Sequence, residues 1–375
     1  MIPTAAPPAI HRIYNFSAGP GVLPEEVLLE ARDNLLSLGK TGIGILEISH
    51  RSKEFEAILA ETEANLRTLL SVPRDMRVLF LQGGASLQFS MVPMNLLLPG
   101  ATADYIVTGE WGRRAVVEAR RIPGAHVHIA ASTESEGFCR VPSDAELALS
   151  ATPAYVHYTT NNTIFGTQYA HIPDVGGRPL VADMSSDFLS RPTDISRYSL
   201  VYAGAQKNAG PAGVTVVLLR EEILPTDATL QAGLPMLLNY RTHIEHGSLY
   251  NTPAVFAIYI THLVLRWLIR GGGLPAMARR NLEKAHLVYG AIDAAPGFYR
   301  GHAKADSRSL MNITFRLPTP ALEDEFVKGA KAQGLDGLKG HRSVGGIRAS
   351  VYNAFPLSGA QCLAQYMAEF ARKHG

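Results

Sequence analysis

Between Pro24 and Arg220 the chain alternates short, uninterrupted apolar runs with segments of helical spacing. The runs are Val78-Leu79-Phe80-Leu81, Tyr105-Ile106-Val107, Tyr155-Val156-His157-Tyr158, Pro179-Leu180-Val181-Ala182, Leu200-Val201-Tyr202-Ala203 and Val214 to Leu219. A strand wetted on one face alternates apolar with polar residues, whereas a continuous run belongs to a strand covered on both faces. Leu87 to Leu98, Arg113 to Arg120 and Asp144 to Leu149 read as helices between the earlier runs. Strand, helix, strand at this spacing specifies an α/β fold with a mostly parallel sheet covered by helices. Upstream, Pro24-Glu25-Glu26 opens a helix with proline in the first turn and acids at the positive end of its dipole. Ser52 to Leu70 carries Phe55, Ile58, Leu59, Leu66, Leu69 and Leu70 near helical spacing.

The pattern changes after this region. Thr252-Pro253 reads as an N-cap with proline at the first helical position, opening a helix to about Arg270. Gly271-Gly272-Gly273 breaks it, and a second helix runs from about Pro275 to Ala294. After Pro296-Gly297 the order is strand (Leu310 to Leu317), helix (Leu322 to Gln333), strand (Gly346 to Val351) and closing helix (Ser358 to Lys373). We expect an N-terminal arm (1–23) joining a small C-terminal α+β domain (271–375), and a large domain between them (24–270). The length of 375 residues suits such a division.

Composition excludes several classes. Hydrophobic residues make up 46% and charged ones 18%, which is too apolar for a disordered chain. The net charge is +2 with both signs scattered and no basic block, so no nucleic-acid partner is expected. Cys139 and Cys362 are the only cysteines, which rules out a disulfide framework and a Cys-rich zinc site. No metal is expected. The start, MIPTAAPPAI, has neither a charged n-region nor an apolar h-region, and the apolar stretch from Ala254 to Ile269 is short for a span and interrupted by Thr261, His262 and Arg266. The expectation is a cytoplasmic protein with no membrane partner.

Chemistry concentrates in a few places. Lys207 lies between two apolar strands, in a connection of Ala, Gly, Gln, Asn and Pro. Such a lysine is usually a surface residue, but small neighbours also let a bulky planar ligand approach the backbone. A desolvated lysine loses its proton readily and forms a Schiff base with an aldehyde. Asp183 ends the strand Val181-Ala182-Asp183, 24 positions before Lys207. It reads either as a helix cap or as the carboxylate that holds the protonated pyridine nitrogen of pyridoxal 5'-phosphate. Directly after Val78 to Leu81 comes Gln82-Gly83-Gly84-Ala85-Ser86-Leu87-Gln88-Phe89, a strand turning through glycines into a helix. That arrangement offers free N–H groups to a phosphate, though structural turns share it. Trp111, between Gly109 and Gly112, reads equally as packing or as a platform for a flat ring.

With these residues assembled, the chain resembles the phosphoserine aminotransferase family, class V members of the fold-type I pyridoxal-phosphate enzymes. The resemblance is carried by Asn15-Phe16-Ser17-Ala18-Gly19-Pro20, Ser49-His50-Arg51-Ser52, Gly83-Gly84-Ala85-Ser86 and Asn162-Thr163-Ile164. It continues through Ala182-Asp183-Met184-Ser185-Ser186, Ala205-Gln206-Lys207-Asn208, Asn251-Thr252-Pro253 and the run from Gly340 to Ser350 followed by Tyr352-Asn353-Ala354. It implies a homodimeric transaminase that moves the amino group of L-glutamate to 3-phosphohydroxypyruvate, with a phosphorylated hydroxythreonine left open as a further substrate. It also implies the roles. Lys207 and Asp183 would be catalytic, Trp111 would stack on the ring, and Thr163 would bond its phenolic oxygen. Ala85, Ser86 and Gln206 would bind the cofactor phosphate, with Asn251 and Thr252 completing that site from the neighbouring subunit. His50, Arg51, His341, Arg342 and Arg348 would receive substrate anions, since guanidinium groups suit phosphate and carboxylate by two-point contact. The chain departs from many members at Ser86, where some carry arginine, and at Ala18, where many carry serine.

Other readings stand beside this one, two within the same fold and one outside catalysis. An alanine–glyoxylate type aminotransferase shares the lysine–aspartate pair but has no need of His-Arg pairs at both ends of the chain. A cysteine desulfurase needs a mobile loop cysteine, whereas Cys362 falls inside the closing helix and reads as core packing. A non-catalytic binding protein of the same fold would have no reason to keep both Lys207 and Asp183.

Overall fold

The computed structural model describes residues 12–226 and 233–375, so most of the first dozen positions of the expected arm lie outside the described residues. The strands are β1 (Tyr14–Asn15), β2 (Met76–Leu81), β3 (Thr102–Val107), β4 (His126–Ser132), β5 (Tyr155–Thr159), β6 (Asn161–Asn162) and β7 (Thr167–Gln168). They continue with β8 (Leu180–Asp183), β9 (Leu200–Gly204), β10 (Thr215–Arg220), β11 (Arg300–Gly301), β12 (Asn312–Arg316), β13 (Leu335–Asp336) and β14 (Ile347–Ser350). Seven of them form one sheet in the order β2-β10-β9-β8-β5-β3-β4. β10 is antiparallel to both its neighbours, and the other pairings are parallel.

The continuous apolar runs are explained by burial on both sheet faces. In β10, Val216 and Leu218 enter one core cluster while Val217 and Leu219 enter the other, across the sheet. The helices Lys53–Leu70 and Val255–Arg270 pack over the first face, and Gly84–Leu96 and Glu110–Ala119 over the second. A third cluster joins Phe16, Val288, Ile313, Phe315, Phe326, Ile347, Leu363 and Met367 around the sheet β11-β12-β14. The helix Gly273–Asp293 passes from one core to the other. Its Leu274 and Met277 pack against the large-sheet core, and its Ala285, Val288 and Ile292 against the C-terminal one. β1 pairs in parallel with β13, which ties the N-terminal segment to this C-terminal layer. Among the described residues, no single helix is long and apolar enough to cross a membrane.

Three expectations are corrected, and one strand, β4, was not foreseen. Asp144 to Leu149 is no α-helix: Asp144–Glu146 is a single 3-10 turn, closed by Glu146 accepting from the Ser143 N–H at 2.8 Å and by Arg140. Leu147 and Leu149 supply apolar spacing there because they pack on the core as extended chain. Thr252-Pro253 does not cap the next helix, which starts at Val255 with Ala254 as N-cap, so the Thr-Pro pair belongs to the preceding loop. β4 carries no continuous apolar run because it is an edge strand with an alternating, largely wetted pattern. Cys362 lies in the helix Leu357–His374 but on its exposed face, not in the core.

Candidate active site

Parallel strands deliver their carboxyl ends to one edge of the sheet, and ligands of open α/β sheets bind there. β2, β3, β5, β8 and β9 end at Leu81, Val107, Thr159, Asp183 and Gly204. The segments that follow carry Gly83 to Ser86, Trp111, Thr163, Asp183 itself, and Gln206 with Lys207. All of these line one cleft of about 690 Å³, whose remaining walls include Ser17 to Pro20, Phe89, Ser185, Lys339, His341 and Arg348.

The turn after β2 is made by Gly83 (φ +88°) and Gly84 (φ +64°), both in the left-handed region that favours glycine. Gly83 caps the helix Gly84–Leu96 without any side-chain hydrogen bond. The first-turn N–H groups of Gly84, Ala85 and Ser86 therefore have no intrahelical partner and sit on the cleft wall, as a phosphate requires. Trp111 stands in the first turn of Glu110–Ala119, and its indole N–H donates to Thr163 Oγ1 at 3.0 Å.

Asp183 is 5% exposed. Its Oδ1 accepts from the Ser185 N–H at 2.9 Å and from the Ser185 hydroxyl at 2.6 Å, and the same hydroxyl accepts from the Gly204 N–H at 3.1 Å. Burial raises its pKa above the ordinary carboxylate value, with Lys207 and Ser185 pulling in the opposite direction. Burial lowers the pKa of Lys207, Asp183 opposes that shift, and the Arg348 cation adds to it. A lysine so placed gives up its proton more easily than a surface one. Its Nζ lies 5.8 Å from the centre of the Trp111 ring.

On the far wall Arg348, from β14, donates from Nη1 to Thr163 O at 3.1 Å, while its buried Nε has no partner in the protein. His341 shares that wall, its Nδ1 2.7 Å from Ser343 Oγ. Burial and the cations Arg348, Arg342 and Arg114 hold its pKa below the ordinary value.

Nine of the expected cofactor and substrate residues thus come together: Ala85, Ser86, Trp111, Thr163, Asp183, Gln206 and Lys207, with His341 and Arg348 facing them. His50, Arg51, Asn251, Thr252 and Arg342 do not line the cleft of their own chain. His50 and Arg51 occupy the turn before Lys53–Leu70, and Arg342 and Thr252 are exposed. Asn251 Nδ2 donates to Gln82 Oε1 at 3.1 Å, beside the glycine turn. Sequence reasoning assigned no role to Phe89, Ser185 or Lys339. Ser185 was legible as a hydroxyl two residues after Asp183, and Lys339 as a further cation beside His341; Phe89 gave no signal distinct from core packing.

The donor set fits pyridoxal 5'-phosphate. Free N–H groups at a helix start suit its phosphate, a buried carboxylate suits its ring nitrogen, an indole suits its face, and a buried lysine suits its aldehyde.

The family profile described as Aminotransferase class-V matches residues 13–362. Phosphoserine aminotransferase of Herpetosiphon aurantiacus is 55% identical over 97% of this chain and 99% of its own. The solved phosphoserine aminotransferase of Bacillus circulans subsp. alkalophilus superposes with a TM-score of 0.93 at 49% identity, covering 97% of this chain and 99% of that one. The pyridoxal-phosphate-bound enzyme of Trichomonas vaginalis gives 0.89 at 39% identity, over 95% and 99%. A cleft that holds a buried lysine and aspartate, with full-length likeness at this level, leads to one assignment: the chain belongs to the phosphoserine aminotransferases, pyridoxal-phosphate-dependent transaminases of aminotransferase class V.

Proposed function

We propose that the protein transfers the amino group of L-glutamate to 3-phosphohydroxypyruvate, giving O-phospho-L-serine and 2-oxoglutarate. The observation that carries this reading is the cleft itself, in which Lys207 and Asp183 face the basic wall of Lys339, His341 and Arg348. When bound, pyridoxal phosphate supplies the electron sink that stabilises negative charge at the substrate Cα.

The chain's own residues do the rest. The N–H groups of Gly84, Ala85 and Ser86, with Gln206, hold the phosphate end. Trp111 supports the ring face. Because Thr163 Oγ1 accepts from Trp111, its own hydrogen is left to donate toward the phenolic oxygen. Asp183, kept in place by Ser185, keeps the proton on the ring nitrogen. Lys207 Nζ would hold the cofactor's aldehyde end and, once free, would move the proton at the substrate Cα as general base and acid. Arg348 receives the carboxylate common to both substrates, and its unpartnered Nε supports that role.

His50, Arg51, Asn251 and Thr252 serve the cleft of a second subunit in this reading. Their position outside their own cleft supports it, and so does the need of a phosphorylated substrate for more cations than one chain's cleft supplies. In this reading the large domain (24–270) holds the two clusters on the sheet faces, the small domain (271–375) shares the third with the arm (1–23), Leu274 and Met277 reach back to the large-sheet core, and all three parts contribute residues to the cleft. The test is direct: purified holoenzyme is given glutamate with 3-phosphohydroxypyruvate, and alanine with glyoxylate, and the amino-acid products are quantified. Phosphoserine forming faster is expected. Glycine forming faster would replace this reading with the glyoxylate one.

A further inference from the structure

Lys284, in the middle of Gly273–Asp293, is only 2% exposed. The charged neighbour acting on it is Arg280, of like sign. Its Nζ donates to main-chain carbonyls, Tyr352 O at 2.5 Å and Asn353 O at 3.4 Å. Burying a lysine without an anion is unfavourable, so this placement persists against a cost that local packing does not require.

The hydrogen bonds continue from there into the cleft wall. Asn281, one turn earlier on the same helix, donates to Asn353 Oδ1 at 2.8 Å and to Ser190 O at 3.0 Å. Asn353 Nδ2 donates to Leu189 O at 2.9 Å, and the Asn353 N–H to Asn208 Oδ1 at 2.9 Å. Asn208 Nδ2 donates to Ser186 O at 3.0 Å. Asn208 directly follows Lys207, and Ser186 lies three residues after Asp183, so the chain of bonds ends beside Lys207 and one turn from Asp183. Asn208, Asn281 and Asn353 are all buried.

The loop that carries Lys207 gives this network its purpose. Ala205 and Ala209 anchor the two sides of this loop in the core, and Asn208 between them is the loop's buried polar side chain. Main-chain bonds close the loop on itself, from the Ala209 and Gly210 N–H groups to Ala205 O, and the Asn208 side chain is what ties it to Ser186 and Asn353. We propose that Lys284 is a positioning residue for transamination: through Tyr352–Asn353 and Asn208 it fixes the main chain that carries Lys207 relative to Asp183. The inference rests on the roles given above to Lys207 and Asp183. It assigns Lys284 no contact with substrate or cofactor.

Lys284→Met keeps the length and apolar body of the side chain and removes its donors. In the holoenzyme it should lower kcat on the order of tenfold, about 1.4 kcal/mol of lost transition-state positioning. KM for both substrates should stay within about twofold, because no binding group is touched. The visible absorption band of the bound cofactor should titrate at a displaced pH, which a purely structural role would not produce. Combined with Asn208→Ala, kcat should fall no further than about twofold below the lower single variant, since both act along one path. Wild-type kcat and an unmoved band in folded Lys284→Met overturn the inference, as do losses that multiply in the double variant. Should Lys284→Met give no folded holoenzyme, Asn281→Ala cuts the contact to Asn353 and keeps the lysine. The same cycle with Asn208→Ala then decides, coupled losses supporting the inference and multiplied losses overturning it. A wild-type enzyme without transamination would instead overturn the proposed function.

Discussion

Trp111 donates its indole N–H to Thr163 Oγ1 while Lys207 Nζ stands over the same ring, so one hydrogen bond sets the plane against which the lysine works. Gly109 makes the arrangement possible. A Cβ at that position would overlap Asn162 Oδ1, immediately before Thr163. Gly109→Ala should therefore push Asn162 and Thr163 away from Trp111, at a cost of about 1–3 kcal/mol for overpacking. Titration of the apoprotein with pyridoxal phosphate should give a Kd raised by about tenfold or more. An unchanged Kd would mean that the Trp111–Thr163 geometry does not support the cofactor.

Lys207 and Asp183 predict different failures. Lys207→Ala should give a folded protein with no turnover and no visible band, since no other lysine at that loop can replace it. Asp183→Asn should keep part of the cofactor and lose activity by about a hundredfold or more, as when a preorganised charged group is removed. Steady-state rates and absorption spectra of the two variants check this. Near wild-type rates in Asp183→Asn would reduce that residue to a structural cap for Ser185.

The strands that deliver these residues were legible because each is buried on both faces and reads as a continuous apolar run. Lys207 and Asp183 were legible for a related reason: a titratable side chain at the end of such a run stands out. β4 was not, because an exposed edge strand alternates weakly, and Asp144 to Leu149 misled because two core leucines can mimic helical spacing in extended chain. Asn281 and Lys284 carried no signal at all, and Asn353 showed only as part of the resemblance at Tyr352-Asn353-Ala354, with no role attached. Their bonds join positions 68 to 164 residues apart, and nothing local marks a residue whose partner is a distant carbonyl.

Lys284 also sets a pH dependence of stability. Burial and Arg280 lower its pKa from 10.5 to about 7 in the folded protein. Between those values the unfolded chain binds a proton that the folded chain does not, so raising the pH favours the folded state. The penalty is complete below about pH 7 and fades toward the unfolded value near pH 10.5. Wild type should therefore gain in Tm relative to Lys284→Met as the pH is raised from about 7 to about 10. Thermal melts of both variants at the two pH values check it, since other titrating groups are common to both and cancel. A constant difference in Tm would show that Lys284 keeps its ordinary pKa.

Arg348 and Arg342 should separate in the half-reactions. Arg348 lines the cleft, so Arg348→Ala should slow the glutamate and phosphohydroxypyruvate halves alike, by about tenfold to a hundredfold for a charged contact. Arg342 is exposed and outside its own cleft, and Arg342→Ala should burden the phosphorylated substrate more than glutamate. Single-turnover kinetics of each half decide it. Equal losses for both substrates in both variants would remove this division of labour.

The placement of Arg51 outside its own cleft makes the shared-site dimer testable by mixing inactive partners. If each site uses Lys207 of one subunit and Arg51 of the other, neither Lys207→Ala nor Arg51→Ala alone can turn over the phosphorylated substrate well. In a hybrid of the two, one site lacks both groups and the other has both intact. Random reassociation makes about half the dimers hybrids, each with one working site, so the mixture should recover about a quarter of wild-type activity. If both residues served the same chain's cleft, every site in every hybrid would lack one of them and nothing would be recovered. Denaturing and refolding the two variants together with the cofactor, then assaying phosphoserine formation, distinguishes the outcomes. Recovery near a quarter supports a site completed across the dimer, and no recovery above the separately refolded variants would confine Arg51 to its own subunit.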